Sequence, residues 1–302
     1  MKTFCRSLHG LALGTLLIAG QLVTVQGQTE AQKANANRTL SVGYVSCAKY
    51  TDAFRYGQVL ILYEQILFPG FEPLDVFGPL EMIFSMSYYM NMTLATIAET
   101  VGPVSARPPL HYMAPNEPPM DLSYMINPQV VATHTFETAP ELDILLVPGG
   151  TGNVALEQKN DTKVEDFVRE RYPELEYLLS VCTGAITLAR SGVLEGRRAT
   201  SNKGAWAQTA THGKNVTWVP SARWVVDGNV WTSSGVAAGM DMAYAFLREL
   251  YGDSPLNTLM SNVEYAPHTD ASWDPFSVVH NVPGANKTRS LVDCVGPAGF
   301  TE

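Results

Sequence analysis

Chemistry in this chain is most concentrated where an apolar run meets a helical pattern at a cysteine. Residues 176–181 (EYLLSV) read as a buried strand, and residues 186–196 (ITLARSGVLEG) read as a helix closed by Gly192 and Gly196. Cys182-Thr183-Gly184-Ala185 lies between them, so the thiol stands on a tight strand-to-helix turn, a nucleophile elbow. Such a turn strains the backbone and presents the side chain. The unpaired N–H groups of a helix start favour a thiolate, which predicts a pKa for Cys182 below the ~8.5 of a free thiol. The same residues also read as an inert cysteine buried at a strand end.

Two further groups belong beside it. Residues 143–150 (DILLVPGG) form an apolar strand stopped by a proline and two glycines. Carboxyl ends of adjoining parallel strands line one crevice, so the N–H groups of Gly149 and Gly150 either form an anion-stabilising hole for the Cys182 chemistry or simply end the strand. Asp75, in FEPLDVFGPLEM, is either an acid reaching into that crevice or the N-cap of a helix that begins at Val76. Glu81 reads as helix surface or as a structural partner. His212, His268 and His280 lie in loops and read as structural or solvated.

The elements that must position these residues alternate. A strand over 58–64 is followed by the turn PGFEP and a helix over 76–90, then a strand over 91–98. Residues 102–138, rich in proline and methionine, give no assignment. The strand ending at Gly150, a helix over 164–171, the elbow, strands over 217–219 and 230–232 and an amphipathic helix ended by Gly252 complete the pattern. The fold class expected is α/β: a doubly wound, mainly parallel sheet with helices on both faces. One domain over 56–252 carries it, and 253–302 is a C-terminal arm packing on the core.

Composition narrows the setting. The chain has 302 residues, 46% of them hydrophobic, and a formal charge of −9 without a basic cluster. That balance argues against nucleic acid and against an anionic membrane surface, and it fits a small neutral ligand. Residues 1–27 pair Lys2 and Arg6 with a short apolar run, the build of a signal peptide, and 28–55 read as a polar arm. Asn37, Asn91, Asn160, Asn215 and Asn286 each precede a threonine by two positions, as N-glycosylation acceptors do. Together these predict a eukaryotic secreted protein, free of the membrane once the signal is cleaved. Of the 4 cysteines, Cys5 leaves with the signal. Cys47 and Cys294 either staple the two arms by a disulfide or stay as shielded thiols. No spacing points to a metal.

PGFEPLDVFGPLEM, DILLVPGG, SVCTGA, GVLEGRRAT and DGNVWTSSGVAAGMDMA, in that order over residues 58–252, resemble the ThiJ/PfpI superfamily, or class I glutamine-amidotransferase-like proteins. The pattern is most similar to its isonitrile hydratase-like branch. The resemblance implies a flavodoxin-like sandwich with Cys182 as nucleophile, Asp75 as acidic partner and Thr183 as the hydroxyl beside it. It implies an oxyanion site from the backbone of Gly149, Gly150 and Thr183, no cofactor, a small-molecule substrate and a homodimer. The implied reaction is hydration of an isonitrile to an N-formamide. Aldehyde chemistry of the deglycase-like kind, and a non-catalytic redox-responsive or binding role, stand as alternatives. One departure is plain: Ser201-Asn202-Lys203 follows Thr200 where that branch carries Thr-His-Trp.

Overall fold

The computed structural model of the chain describes residues 61–109, 121–122, 125–289 and 291. The expected signal segment and polar arm, with Asn37, Cys47 and Cys294, lie outside the described residues.

The main sheet contains β1 (Ile61–Ile66), β2 (Met92–Ala98), β5 (His134–Thr135), β6 (Ile144–Val147), β7 (Tyr177–Ser180), β10 (Trp224–Asp227) and β11 (Val230–Ser233). Its strand order is β10-β11-β7-β6-β1-β2-β5, parallel throughout except for the antiparallel hairpin of β10 and β11. β6 reads ILLV and is buried at all four positions, as a parallel strand covered on both faces must be. On one face Ile66, Leu145, Val147 and Leu178 pack with Phe167 and Val168 of helix α3 (Lys163–Arg171) and Leu188 of α4 (Gly184–Arg190). On the other, Tyr63, Leu146 and Leu179 pack with Met82 of α1 (Pro73–Met86) and with Met242 and Phe246 of α6 (Val236–Tyr251). The sheet is therefore mainly parallel with helices on both faces.

The winding changes direction between β1 and β6. From β1 the chain steps outward through β2 to β5, then returns to lay β6 on the opposite side and continues through β7 to β11. Loops after β1 and β6 consequently meet at a crevice outside the carboxyl ends of the strands. They are tied by a bridge between Phe71 and Gly150 and by the Glu72 N–H donating to the Gly149 carbonyl at 2.8 Å.

Several boundaries differ from those the sequence suggests. The first helix starts at Pro73, because a proline with its fixed φ and no N–H suits the first helical position. Asp75 thus lies inside the first turn and is not the N-cap, which is Glu72. Thr217–Trp218 pairs with Arg198–Ala199 in a separate two-stranded sheet and does not enter the main one. The unassigned stretch 102–138 holds the hairpin of β3 (Gly102–Ser105) and β4 (Gln129–Ala132), together with β5. β10 had a sequence signal, Asp227-Gly228 between two apolar runs, which is how a tight hairpin is written.

Beyond Gly252, helix α7 (Asp253–Asn262) sends Leu256, Leu259 and Met260 into the same apolar cluster as α6. Asn91, Asn160, Asn215 and Asn286 are all exposed, where a glycan has room.

Candidate active site

Cys182 follows β7 with φ +58°, a left-handed conformation that costs a side-chain-bearing residue roughly 1–2 kcal/mol. Three chain segments hold it there. Its N–H donates to the Ser234 carbonyl at 2.9 Å, and its carbonyl accepts from the Ser201 hydroxyl at 2.8 Å. The turn itself closes when the Gly184 N–H donates to the Val181 carbonyl at 2.8 Å. Glycine is obligatory at two contacts around it. A Cβ on Gly184 would stand 2.4 Å from the Val147 carbonyl oxygen, and one on Gly149 would stand 2.5 Å from the Thr183 nitrogen.

Asp75 reaches the elbow from the first turn of α1. It is fully buried, and its Oδ2 accepts the Gly149 N–H at 2.7 Å. Oδ1 has no hydrogen-bond partner among the described residues. Burial pushes the carboxyl up to about 8, against the pull of the Gly149 bond and with a smaller push from the Glu72 charge. Near neutral pH the group is therefore mostly protonated. Since Oδ2 already receives an N–H, the proton belongs on Oδ1.

The expectation of a depressed thiol pKa is overturned. Cys182 is only 6% exposed, and burial drives its pKa well above that of a free thiol, helped by the neighbouring Asp75 charge. Hydrogen bonds from the Asn202 side chain and the Thr183 backbone favour the thiolate but do not offset this. The helix behind the elbow has only 7 residues, so its dipole is a weak counterweight. At rest Cys182 is a thiol.

The oxyanion assignment for Gly149 and Gly150 also needs correction. The Gly149 N–H is spent on Asp75, and the Gly150 N–H donates to Thr183 Oγ1 at 2.9 Å. The Thr183 hydroxyl in turn donates to Asn153 Oδ1 at 3.1 Å, so it ties the elbow to the segment after β6. Only the Thr183 backbone N–H, of the donors expected there, is directed to the sulfur.

Asn202 is the residue that the sequence marked only as a departure, with no role attached. Its Nδ2 donates to Cys182 Sγ at 3.2 Å, while its Oδ1 accepts the N–H groups of Gly204 at 2.8 Å and Ala205 at 3.2 Å. Those two backbone donors fix the amide, so the NH₂ end must face the sulfur. Asn202 occupies the place of the missing histidine and supplies a donor there without being able to take a proton. The legible signal was an asparagine two residues before a glycine at a helix start, the pattern of an Asx turn. Behind it, the Lys203 ammonium is buried against Thr200 Oγ1 at 2.6 Å and the Ala222 carbonyl at 2.8 Å, and burial lowers its pKa to about 7.

The histidines fall apart in space. His212 is held by Glu157 Oε1, 3.0 Å from Nε2, and by the Gln208 carbonyl, 3.0 Å from Nδ1. His268 contributes its backbone N–H to Asp241. His280 alone reaches the cavity that Asn202 lines. Glu81 is exposed and accepts from the Ser85 hydroxyl at 3.1 Å. Among the described residues, no cluster of His, Cys, Asp or Glu could hold a metal ion.

Residues 66–249, which carry this elbow and its acid, match the DJ-1/PfpI family. The chain belongs to that family. It is 31% identical to an isonitrile hydratase of Pseudomonas putida over 203 residues, covering 67% of this chain and 77% of that protein. A deglycase of Pyrococcus horikoshii is 37% identical over 109 residues, which span 36% of this chain and 60% of the deglycase. Among solved structures, a ThiJ/PfpI family protein from Pseudomonas syringae superposes with a TM-score of 0.56 at 28% identity, over 69% of this chain and 76% of that one. DJ-1beta of Drosophila melanogaster, 19% identical with a TM-score of 0.53 over 68% and 98% of the two chains, shares the fold.

The raised carboxyl has a measurable signature in stability. Between its ordinary value of 3.8 and about 8, folded Asp75 keeps a proton that the unfolded chain releases. Its contribution to stability is therefore full below about pH 4, falls as pH rises to about 8, and is flat above. Asp75→Asn stays neutral, so denaturant unfolding from pH 4 to 8 should show the variant gaining on the wild type as pH rises. A difference independent of pH would mean that Asp75 is ionised in the folded protein.

Proposed function

We propose that this DJ-1/PfpI protein is a cofactor-independent hydratase that uses Cys182 to convert an isonitrile into an N-formamide. The observation that carries the reading is the pairing of a thiol with a carboxylic acid that burial keeps protonated near neutral pH. The P. putida isonitrile hydratase, similar over most of its length, supports the choice of substrate.

The steps balance without any other reactant than water. As the Cys182 sulfur bonds to the terminal carbon of R–N≡C, that carbon takes a proton from Asp75 Oδ1, and Asp75 recovers the proton that the thiol gives up. The product is a thioimidate, R–N=CH–S–Cys182. Water adds to its carbon, the C–S bond breaks, the sulfur regains its proton and R–NH–CHO leaves. A resting thiol suits this addition, because the proton it carries is the one the carbon needs. Asn202 and the Thr183 N–H hold the sulfur and stabilise the charge it develops.

Burial and the raised thiol pKa weigh against the redox-sensing alternative, which needs an accessible thiolate. Deglycase-like aldehyde chemistry has the shorter likeness to the P. horikoshii protein behind it. With isonitriles as substrate, Cys182→Ala should lower formamide production by at least ~10³-fold and Asp75→Asn by roughly 10²–10⁴-fold, both with an unchanged fold. Turnover of methylglyoxal-type aldehydes with no formamide from any isonitrile would decide for the alternative.

The active unit we infer is a homodimer joined through α1, the helix that carries Asp75. Leu74, Phe77 and Phe84 are 43%, 46% and 43% exposed on that helix, and Tyr88 beyond its end is 74% exposed. Their spacing sets them on one face. Sedimentation should give twice the chain mass for the wild type and one chain mass for Phe77→Glu. Equal masses would remove the stripe as the interface.

A secretory route is also proposed, supported by the build of residues 1–27 and by the exposure of the acceptor asparagines. Expressed in a eukaryotic host, the protein should be recovered from the medium and lose mass on treatment with an N-glycosidase. Cytosolic, unglycosylated protein would rule this route out.

A further inference from the structure

The family match ends at residue 249, and the chain beyond it turns back over the elbow. A buried ionic clamp fixes that return. Asp241 on α6 receives the His268 N–H at 2.9 Å and the Tyr265 hydroxyl on Oδ1, while its Oδ2 pairs with Arg223 at 2.6 Å from Nε. Asp274 lies 3.5 Å from Nη1 of the same guanidinium, and its own N–H donates to the Ser221 carbonyl at 2.6 Å. Asp241, Asp274 and Arg223 are all buried, so loosening any of them would leave a charge unpaired in the interior.

The clamp sets Phe276 and His280, whose ring centroids are 6.5 Å apart, as one wall of a cavity of about 210 Å³. Asn202, Ser234 and the start of α6 form the wall facing them. The cavity thus adjoins the nucleophile through two residues that touch it: Asn202 bonds to the sulfur, and the Ser234 carbonyl receives the Cys182 N–H.

Its lining indicates the occupant. Arg223 is spent on two carboxylates and the Lys203 ammonium on Thr200, Ser201 and Ala222, so neither charge is left for a ligand. Val236, Ala237 and Ala238 offer apolar surface beside Phe276. Ser234 also borders the cavity, but its hydroxyl is fully buried and closed to a ligand. A dry cavity of about 150 Å³ already accepts benzene.

We propose that this cavity is the substrate subsite and takes a neutral aromatic molecule, its ring on Phe276. The segment beyond the family domain then decides which molecule reaches Cys182. Phe276 is a specificity-determining residue in this arrangement and takes no part in bond making. The proposal rests on the reading that Cys182 acts on small molecules, but binding tests it without turnover.

The experiment is calorimetric titration of the full chain with formanilide and with N-butylformamide. Formanilide should bind about tenfold more tightly, on the scale of a ring contact added to apolar burial. Phe276→Ala should erase that preference by weakening formanilide far more than N-butylformamide, and Phe276→Leu, which keeps the bulk and protects the fold, should reduce it. Equal affinities in the wild type, or a preference that survives both substitutions, would overturn the subsite. Turnover of phenyl and butyl isonitriles, measured in parallel, separates the two readings. Phe276-dependent binding without any turnover overturns the hydratase alone, and turnover of both without Phe276-dependent preference overturns the subsite alone.

Discussion

Gly149 is the point on which the site's geometry depends. Its N–H holds Asp75, its carbonyl receives the Glu72 N–H, and its lack of a side chain lets the Thr183 backbone close in. One residue therefore joins the loop after β6, the helix that follows β1 and the elbow after β7. The parallel sheet makes this meeting unavoidable, since β1, β6 and β7 are adjacent and end at the same edge. The chemistry follows from the resulting dryness. Two acids enclosed together cannot both ionise cheaply, so each retains its proton to a higher pH than it would in water.

Much of this frame was legible in residue order. The short apolar runs within 143–147 and 176–181 read as strands buried in a sheet, and the alternation with helices pointed to parallel winding. The cysteine at the elbow and the acid before the first helix followed from that. Less legible was everything set by three-dimensional approach. The thiol's pKa depends on how tightly Asp75, Asn202 and the core enclose the sulfur, and a helix start in the sequence says nothing of enclosure. The N–H groups of Gly149 and Gly150 looked available because their partners, Asp75 and Thr183, lie 74 and 33 residues away. Asn202 stood out only as a departure from a pattern, since its role depends on which end of its amide meets the sulfur.

Residues 253–289 illustrate a different limit. They have no strong periodicity, yet the ionic clamp of Asp241, Arg223 and Asp274 ties them back to the core. Charges this deep are held by geometry: each carboxylate also receives backbone N–H groups, and the arginine has no solvent to turn to. A segment that composition marks as an arm thereby becomes part of a cavity wall.

The edges of the main sheet carry their own consequence. At one side β5 has only 2 residues, and at the other the carboxylate of Asp227 at the end of β10 is already engaged by the Arg198 N–H at 2.9 Å. Both edge strands are short, two residues in β5 and four in β10, so each offers few consecutive backbone groups to an incoming strand. Among the described residues, β5 and β10 are therefore poor templates for extending the sheet from one copy of the protein to the next.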